Sequence, residues 1–176
     1  MKNSCQRFLM GLLFVLIAGI YVHAQKKQDN TTIILIRHAE KDTSMAGSTT
    51  MQADPPLSDK GIIRAGKLVE SLKSFSIDSI FSTNFNRTRT TAIPIANKFG
   101  VTIINYDPKN QTLFADRLKA IQGKTILVVG HSNTIPALVN LLIGSSKYAN
   151  LADNEYDKIW ILRLENGKYT DSQIQY

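Results

Sequence analysis

Five aliphatic or β-branched residues, Thr32-Ile33-Ile34-Leu35-Ile36, run without a break into Arg37-His38. A short apolar run with no polar alternation is the pattern of a strand buried on both faces, as in parallel sheets covered by helices. A second run, Thr125-Ile126-Leu127-Val128-Val129, stops in the same manner at Gly130-His131. Further strands are expected at Ser79-Ile80-Phe81-Ser82-Thr83, from Val101 to Tyr106, and from Lys158 to Leu164, with an edge strand from Tyr169 to Tyr176. Helical patterns lie between them. Ser58 is placed to cap a helix reaching about Lys73, with Ile62, Ala65, Val69 and Leu72 on one face. A second helix runs to about Lys98 and closes at Gly100, and Pro94 within it is expected to kink it or shift its start. A third spans Thr112 to Ile121, with Leu113, Leu118 and Ile121 as core candidates, and a fourth, apolar helix spans Thr134 to Ile143. Strands alternating with helices make this an α/β protein with both sheet faces covered.

The amino terminus reads as an address. Lys2 and Arg7 precede a run of thirteen apolar residues, Phe8 to Ile20, and Val22-His23-Ala24 supplies a small-x-small cleavage site. That order describes a secretory signal peptide over residues 1–24, with a mature domain over 25–176 in a periplasmic or secreted location. The apolar run is shorter than the roughly 20 residues that span a bilayer, although a retained anchor stays open. Cleavage would remove the one cysteine, Cys5, so no disulfide framework is available. It would also remove His23, leaving His38 and His131 as the histidines for any chemistry. The net charge of +7 would fall with Lys2 and Arg7 to +5, an excess that favours anionic partners. Nucleic acid fits poorly, because the one basic doublet is Lys26-Lys27 and no aromatic residues interleave with basic ones.

Polar residues gather where the strands end: Arg37-His38, then Arg87 beyond Ser82-Thr83, then His131. Ligands of open α/β sheets bind beyond the carboxyl ends of strands. Two histidines with two arginines suit a phosphate dianion, since guanidinium forks match its oxygens and a histidine beside them can attack phosphorus or donate a proton. A metal suits them badly: no third nitrogen or sulfur ligand is at hand, and the guanidinium charges would repel a cation. The polar stretch Asp42–Pro56, closed by two prolines, reads as a long loop of the kind that often carries function.

At these residues the chain resembles a known family. Ile36-Arg37-His38-Ala39-Glu40-Lys41 resembles the RHG/RHxE signature of the histidine phosphatase superfamily, also called phosphoglycerate mutase-like. Leu57-Ser58-Asp59-Lys60-Gly61-Ile62-Ile63-Arg64-Ala65 is similar to its LTxxGxxQA helix start, with Arg64 in place of the usual glutamine. Ser82 to Ala92 resembles its segment carrying the second arginine, and Val128-Val129-Gly130-His131-Ser132-Asn133 its second-histidine segment, with Ser132 in place of glycine. The four blocks stand in the family's order and cover roughly residues 32 to 143.

The resemblance implies a mixed, mainly parallel central sheet with helices on both faces and phosphoryl transfer at the carboxyl strand ends. It makes His38 the nucleophile that becomes phosphohistidine, with Arg37, Arg87 and His131 holding the phosphate. Counting back from Thr91-Ala92 puts the family's arginine at Arg87 and leaves Arg89 at a variable position. Asp107 is the candidate general acid, with Asp116 and Glu40 behind it. Ser44 and Asn133 are further phosphate contacts. Serine after His131 sets the chain apart from the acid-phosphatase branch. The expected activity is that of an exported, cofactor-free and metal-independent phosphomonoesterase with an open site like that of small phosphohistidine phosphatases. Its substrate would be a phosphorylated small molecule, glycolipid or protein. A phosphoglycerate mutase-type phosphotransferase and a noncatalytic phosphate-binding module remain as alternatives.

Overall fold

The computed structural model describes residues 30–44 and 54–176. The expected signal peptide, its cleavage site and the middle of the long loop lie outside the described residues. Six strands form one sheet in the order β3-β2-β4-β1-β5-β6. They are β1 (Thr32–Arg37), β2 (Ser79–Ser82), β3 (Ile103–Asn105), β4 (Thr125–Gly130), β5 (Lys158–Glu165) and β6 (Lys168–Gln175). The first four in spatial order run parallel, and β5 and β6 add an antiparallel hairpin beside β1. Four helices cross over between strands: α1 (Asp59–Ser71), α2 (Asn86–Phe99), α3 (Gln111–Lys119) and α4 (Thr134–Ile143).

Alternation along the central strands divides the core in two. Ile33, Leu35, Ile126 and Val128 face α3 and α4, where Phe114, Leu118, Leu138 and Val139 meet them. Ile34, Ile36, Leu127 and Val129 face α1 and α2, packing on Leu68, Leu72, Ala92 and Ile95. These side chains are fully or almost fully buried, and each Val, Leu, Ile or Phe among them contributes about 1.5–3 kcal/mol by leaving water.

Two helix expectations need correction. The buried face of α1 is Gly61, Ala65 and Leu68, followed by Leu72, while Ile62 is 56% exposed. The face is turned by one residue because Gly61 lies against the backbone of Glu40, where an added Cβ would sit 2.2 Å from the carbonyl oxygen. Leu113 is 73% exposed, since α3 turns Phe114, Ala115 and Leu118 to the sheet. Pro94 lies inside α2, which runs from Asn86 to Phe99. The strand expected from Val101 to Tyr106 is also shorter, because β3 is the sheet edge and pairs only through Ile103–Asn105.

Candidate active site

Register brings the polar strand ends together. Arg37 pairs with Gly130 across β1 and β4, so the next residue on each strand is a histidine. The His38 N–H donates to the Gly130 carbonyl at 2.9 Å, and the two imidazole rings stand 5.4 Å apart at 68°. Strand β2, on the other side of β4, delivers Thr83, whose hydroxyl lies 2.9 Å from His131 Nε2. Arg87, on the first turn of α2, brings Nη2 to 3.4 Å from His131 Nδ1. An arginine can only donate, so Nδ1 accepts and Nε2–H donates to Thr83.

His38 is 4% exposed, and its Nδ1 donates to the Ala39 carbonyl at 2.7 Å. The lone pair is therefore on Nε2, the form a nucleophile needs. Burial is the main reason its pKa falls from 6.5 to about 3; the Ala39 carbonyl opposes the fall, and His131, Arg87 and Arg37 add to it. His131 falls to about 4, again by burial first and then by the Arg87 and Arg37 charges. Both rings are neutral at pH 7. The segment after His38 is braced, as the Ala39 N–H donates to Thr91 Oγ1, which itself donates to the Arg87 carbonyl. On its other side Ser58 caps α1 through Gly61 N and donates to the Glu40 carbonyl. This explains physically why the Leu-Ser-x-x-Gly segment accompanies the Arg-His pair.

Arg37 is buried, and burial depresses its pKa below the usual guanidinium value. Its Nη1 donates to the Ala152 and Glu155 carbonyls, each at 2.8 Å. Arg87 and Arg89 are cleanly separated. Arg87 reaches His131, whereas Arg89 is exposed and donates to Asn105 at the sheet edge. Arg87, His131 and Asn133 line a cleft of 260 Å³ with Phe85, Pro108, Lys109 and Thr134.

The candidate acids fall elsewhere. Asp107 is exposed and lines an adjoining groove of 440 Å³ that shares Phe85, Pro108 and Lys109 with the cleft. Its two oxygens accept from Lys109 N at 2.9 Å and Asn110 Nδ2 at 2.6 Å, so it also shapes the turn after β3. Glu40 is turned toward α1: burial raises its pKa, but Arg64 at 2.9 Å and Lys60 outweigh this and hold it below the usual carboxylate value. Asp116 is exposed on α3. Ser44 is not brought to the pocket. Its N–H closes a tight turn on Asp42 at 2.8 Å, and the turn leaves it exposed beside the paired stems of the loop, Lys41 and Leu57.

Three residues that were not among the site candidates join the site. Asp54 accepts from Asn86 N with both oxygens, at 3.0 and 2.8 Å, and from Arg87 Nη1 at 3.2 Å. Thr83 fixes His131, and Tyr156 lies against Arg37 and His38. The Pro55-Pro56 pair after Asp54 was a signal of a directed loop end; Tyr156 sits in a polar stretch with no signal. Among the described residues no group of three His, Cys, Asp or Glu side chains is arranged to hold a metal ion.

Fold and site together define an α/β protein that gathers two histidines and two arginines at the carboxyl edge of its parallel strands. Residues 33–109 match the family model of the histidine phosphatase superfamily, branch 1. Phosphoserine phosphatase 1 of Hydrogenobacter thermophilus is 35% identical over 75 residues, 43% of this chain and 36% of that protein. The match therefore spans about a third of the length of that relative. Among solved structures, the protein histidine phosphatase SixA complexed with tungstate superposes with a TM-score of 0.67, at 16% identity over 82% of this chain and 96% of that one. Phosphoserine phosphatase of Entamoeba histolytica in complex with 3-phosphoglyceric acid gives 0.63, at 21% identity over 83% and 97%. At such identities the likeness is one of fold.

Proposed function

We propose that this protein is an exported phosphomonoesterase that works through a phosphohistidine on His38 without a metal ion. The observation that carries the reading is a buried, neutral His38 whose Nδ1–H is engaged by Ala39, leaving Nε2 as a nucleophile in the field of Arg37 and Arg87. Nε2 attacks phosphorus in line. The N–P bond forms as the P–O bond to the alcohol breaks, and the departing oxygen keeps the electron pair and takes a proton from Asp107. A water, deprotonated by the same carboxylate, then displaces His38 and releases inorganic phosphate.

The arginines spread the charge of the three equatorial oxygens. Burial first, and the Arg87 and Arg37 charges second, hold His131 neutral; a bound dianion offsets those charges and favours a His131 that takes a proton and donates to phosphate. Asp54 is the rival for the proton-transfer role because it touches Arg87 directly. Metal independence rests on the donor set, two histidines beside two fixed cations. Tungstate on the SixA neighbour is consistent with an oxyanion pocket on this fold. The short connection over α3 leaves the groove at Asp107 open, which suits a bulky phosphorylated substrate.

The test is to incubate the purified protein, with and without excess chelator, with radiolabelled phosphomonoesters and acid- and base-quench it. Wild type is expected to release phosphate and trap an acid-labile phosphoenzyme in both conditions, and His38→Ala to do neither. Phosphate passed to a second alcohol with no net release would favour the mutase reading, and bound label with no phosphoenzyme the binding module. Sequencing the amino terminus of the protein recovered outside the cytoplasm tests export, with Gln25 expected first.

A further inference from the structure

Each arginine of the pocket is stacked on an aromatic ring that also meets a histidine. The Arg87 guanidinium carbon lies 4.5 Å from the Phe85 ring centroid, and that ring stands edge-on to His131 at 5.0 Å and 88°. The Arg37 carbon lies 3.9 Å from the Tyr156 centroid, and that ring leans on His38 at 6.1 Å and 57°. Tyr156 comes from the irregular segment between α4 and β5. That segment is tied to the second-histidine corner, since the Leu151 N–H donates to the Ser132 carbonyl at 2.9 Å.

The Arg37 contacts are unequal. Nη1 is taken up by the Ala152 and Glu155 carbonyls, while Nε is buried without a partner and Nη2 has no protein acceptor among the described residues. Nε and Nη2 form the side-on fork of a guanidinium, the edge that takes two oxygens of one phosphate. Two bonds at Nη1 pin one corner of the plane but leave it free to tilt. The Tyr156 ring, with the guanidinium carbon 3.9 Å over its centroid, removes that freedom.

We propose that Tyr156 is a positioning residue of the phosphate pocket, holding Arg37 so that its Nε/Nη2 edge receives two substrate oxygens. The inference rests on the phosphate-pocket reading of the site. The ring does the work, not the hydroxyl, because a cation is attracted to the electron-rich face.

The experiment measures tungstate binding by calorimetry together with kcat and KM for p-nitrophenyl phosphate. Tyr156→Phe is expected to stay within about twofold of wild type in each, since it keeps the ring face. Tyr156→Leu should weaken tungstate binding about tenfold and raise KM similarly, a size between an exposed and a desolvated cation–π contact, with kcat less affected. In an Arg37→Lys background, which lacks the fork, Tyr156→Leu should add nothing. If Tyr156→Leu does not fold, Tyr156→Met carries the same expectation. Tungstate affinity unchanged in the folded variant, damage by Tyr156→Phe equal to that by Tyr156→Leu, or a full effect in the Arg37→Lys background would each overturn the proposal. Because tungstate is read without turnover, a wild type that binds it but does not hydrolyse refutes the phosphatase reading alone. A wild type that does not bind it refutes both.

Discussion

Acidification offers a direct test of the nucleophile's state. An ordinary histidine, with a pKa near 6.5, is about 97% protonated at pH 5 and unable to attack phosphorus. His38, held down to about 3 chiefly by burial, is about 1% protonated there. His131, at about 4, is about 9% protonated. The neutral-nucleophile fraction at pH 5 is thus about thirtyfold larger than an unperturbed ring would provide. The assay is kcat/KM for p-nitrophenyl phosphate from pH 4 to 8, corrected for the substrate's own ionisation near pH 6, beside NMR titration of the ring resonances. Corrected kcat/KM should hold nearly level from pH 7 to 5. A His38 midpoint between pH 6 and 7 would refute the argument. Stability carries the opposite sign. The unfolded chain binds protons at these rings near pH 6.5 and the folded chain only near 3 to 4, so stability falls as pH drops through that interval. Above pH 6.5 the rings contribute no pH dependence. His38→Gln removes one titrating group and should lessen the fall in Tm between pH 7 and 4.

Other expectations follow from single contacts. Arg87→Ala should lower kcat/KM by about 10- to 150-fold, the worth of a charge-assisted hydrogen bond, while Arg89→Ala, which loses an exposed bond to Asn105, should stay within about threefold. The reverse ranking would move the second phosphate-binding arginine to Arg89. Asp107→Asn should slow hydrolysis of alkyl phosphates about 10²–10⁴-fold and the phosphorylation step with p-nitrophenyl phosphate far less, because nitrophenolate leaves without a proton. Equal losses on both would turn attention to Asp54, then to Asp116 and Glu40. Gly61→Ala drives a Cβ against the Glu40 carbonyl and should lower stability by about 1–3 kcal/mol, seen as a lower Tm; an unchanged Tm would contradict the close packing of α1 on the nucleophile segment.

Local physics made much of this protein legible before any coordinates. Uninterrupted apolar runs admit few environments besides a doubly covered strand, so β1 and β4 were readable from Ile33–Ile36 and Ile126–Val129. Their neighbours Arg37, His38 and His131 then had to lie at strand ends, while the choice of Arg87 over Arg89 came from the resemblance to the family's segment and not from local physics. Exact helix faces were not legible, because a one-residue rotation changes no local propensity. Only the contact of Gly61 with Glu40 turned α1, and only the sheet turned Phe114 inward in place of Leu113. Contacts between distant segments were the other thing sequence left open. Thr83 against His131, Asp54 against Arg87 and Tyr156 against Arg37 join residues far apart in the chain, and no motif states which of them meet. Strand register and the path of two irregular segments decided them, since side-chain partners at long range are chosen by where the packed backbone ends.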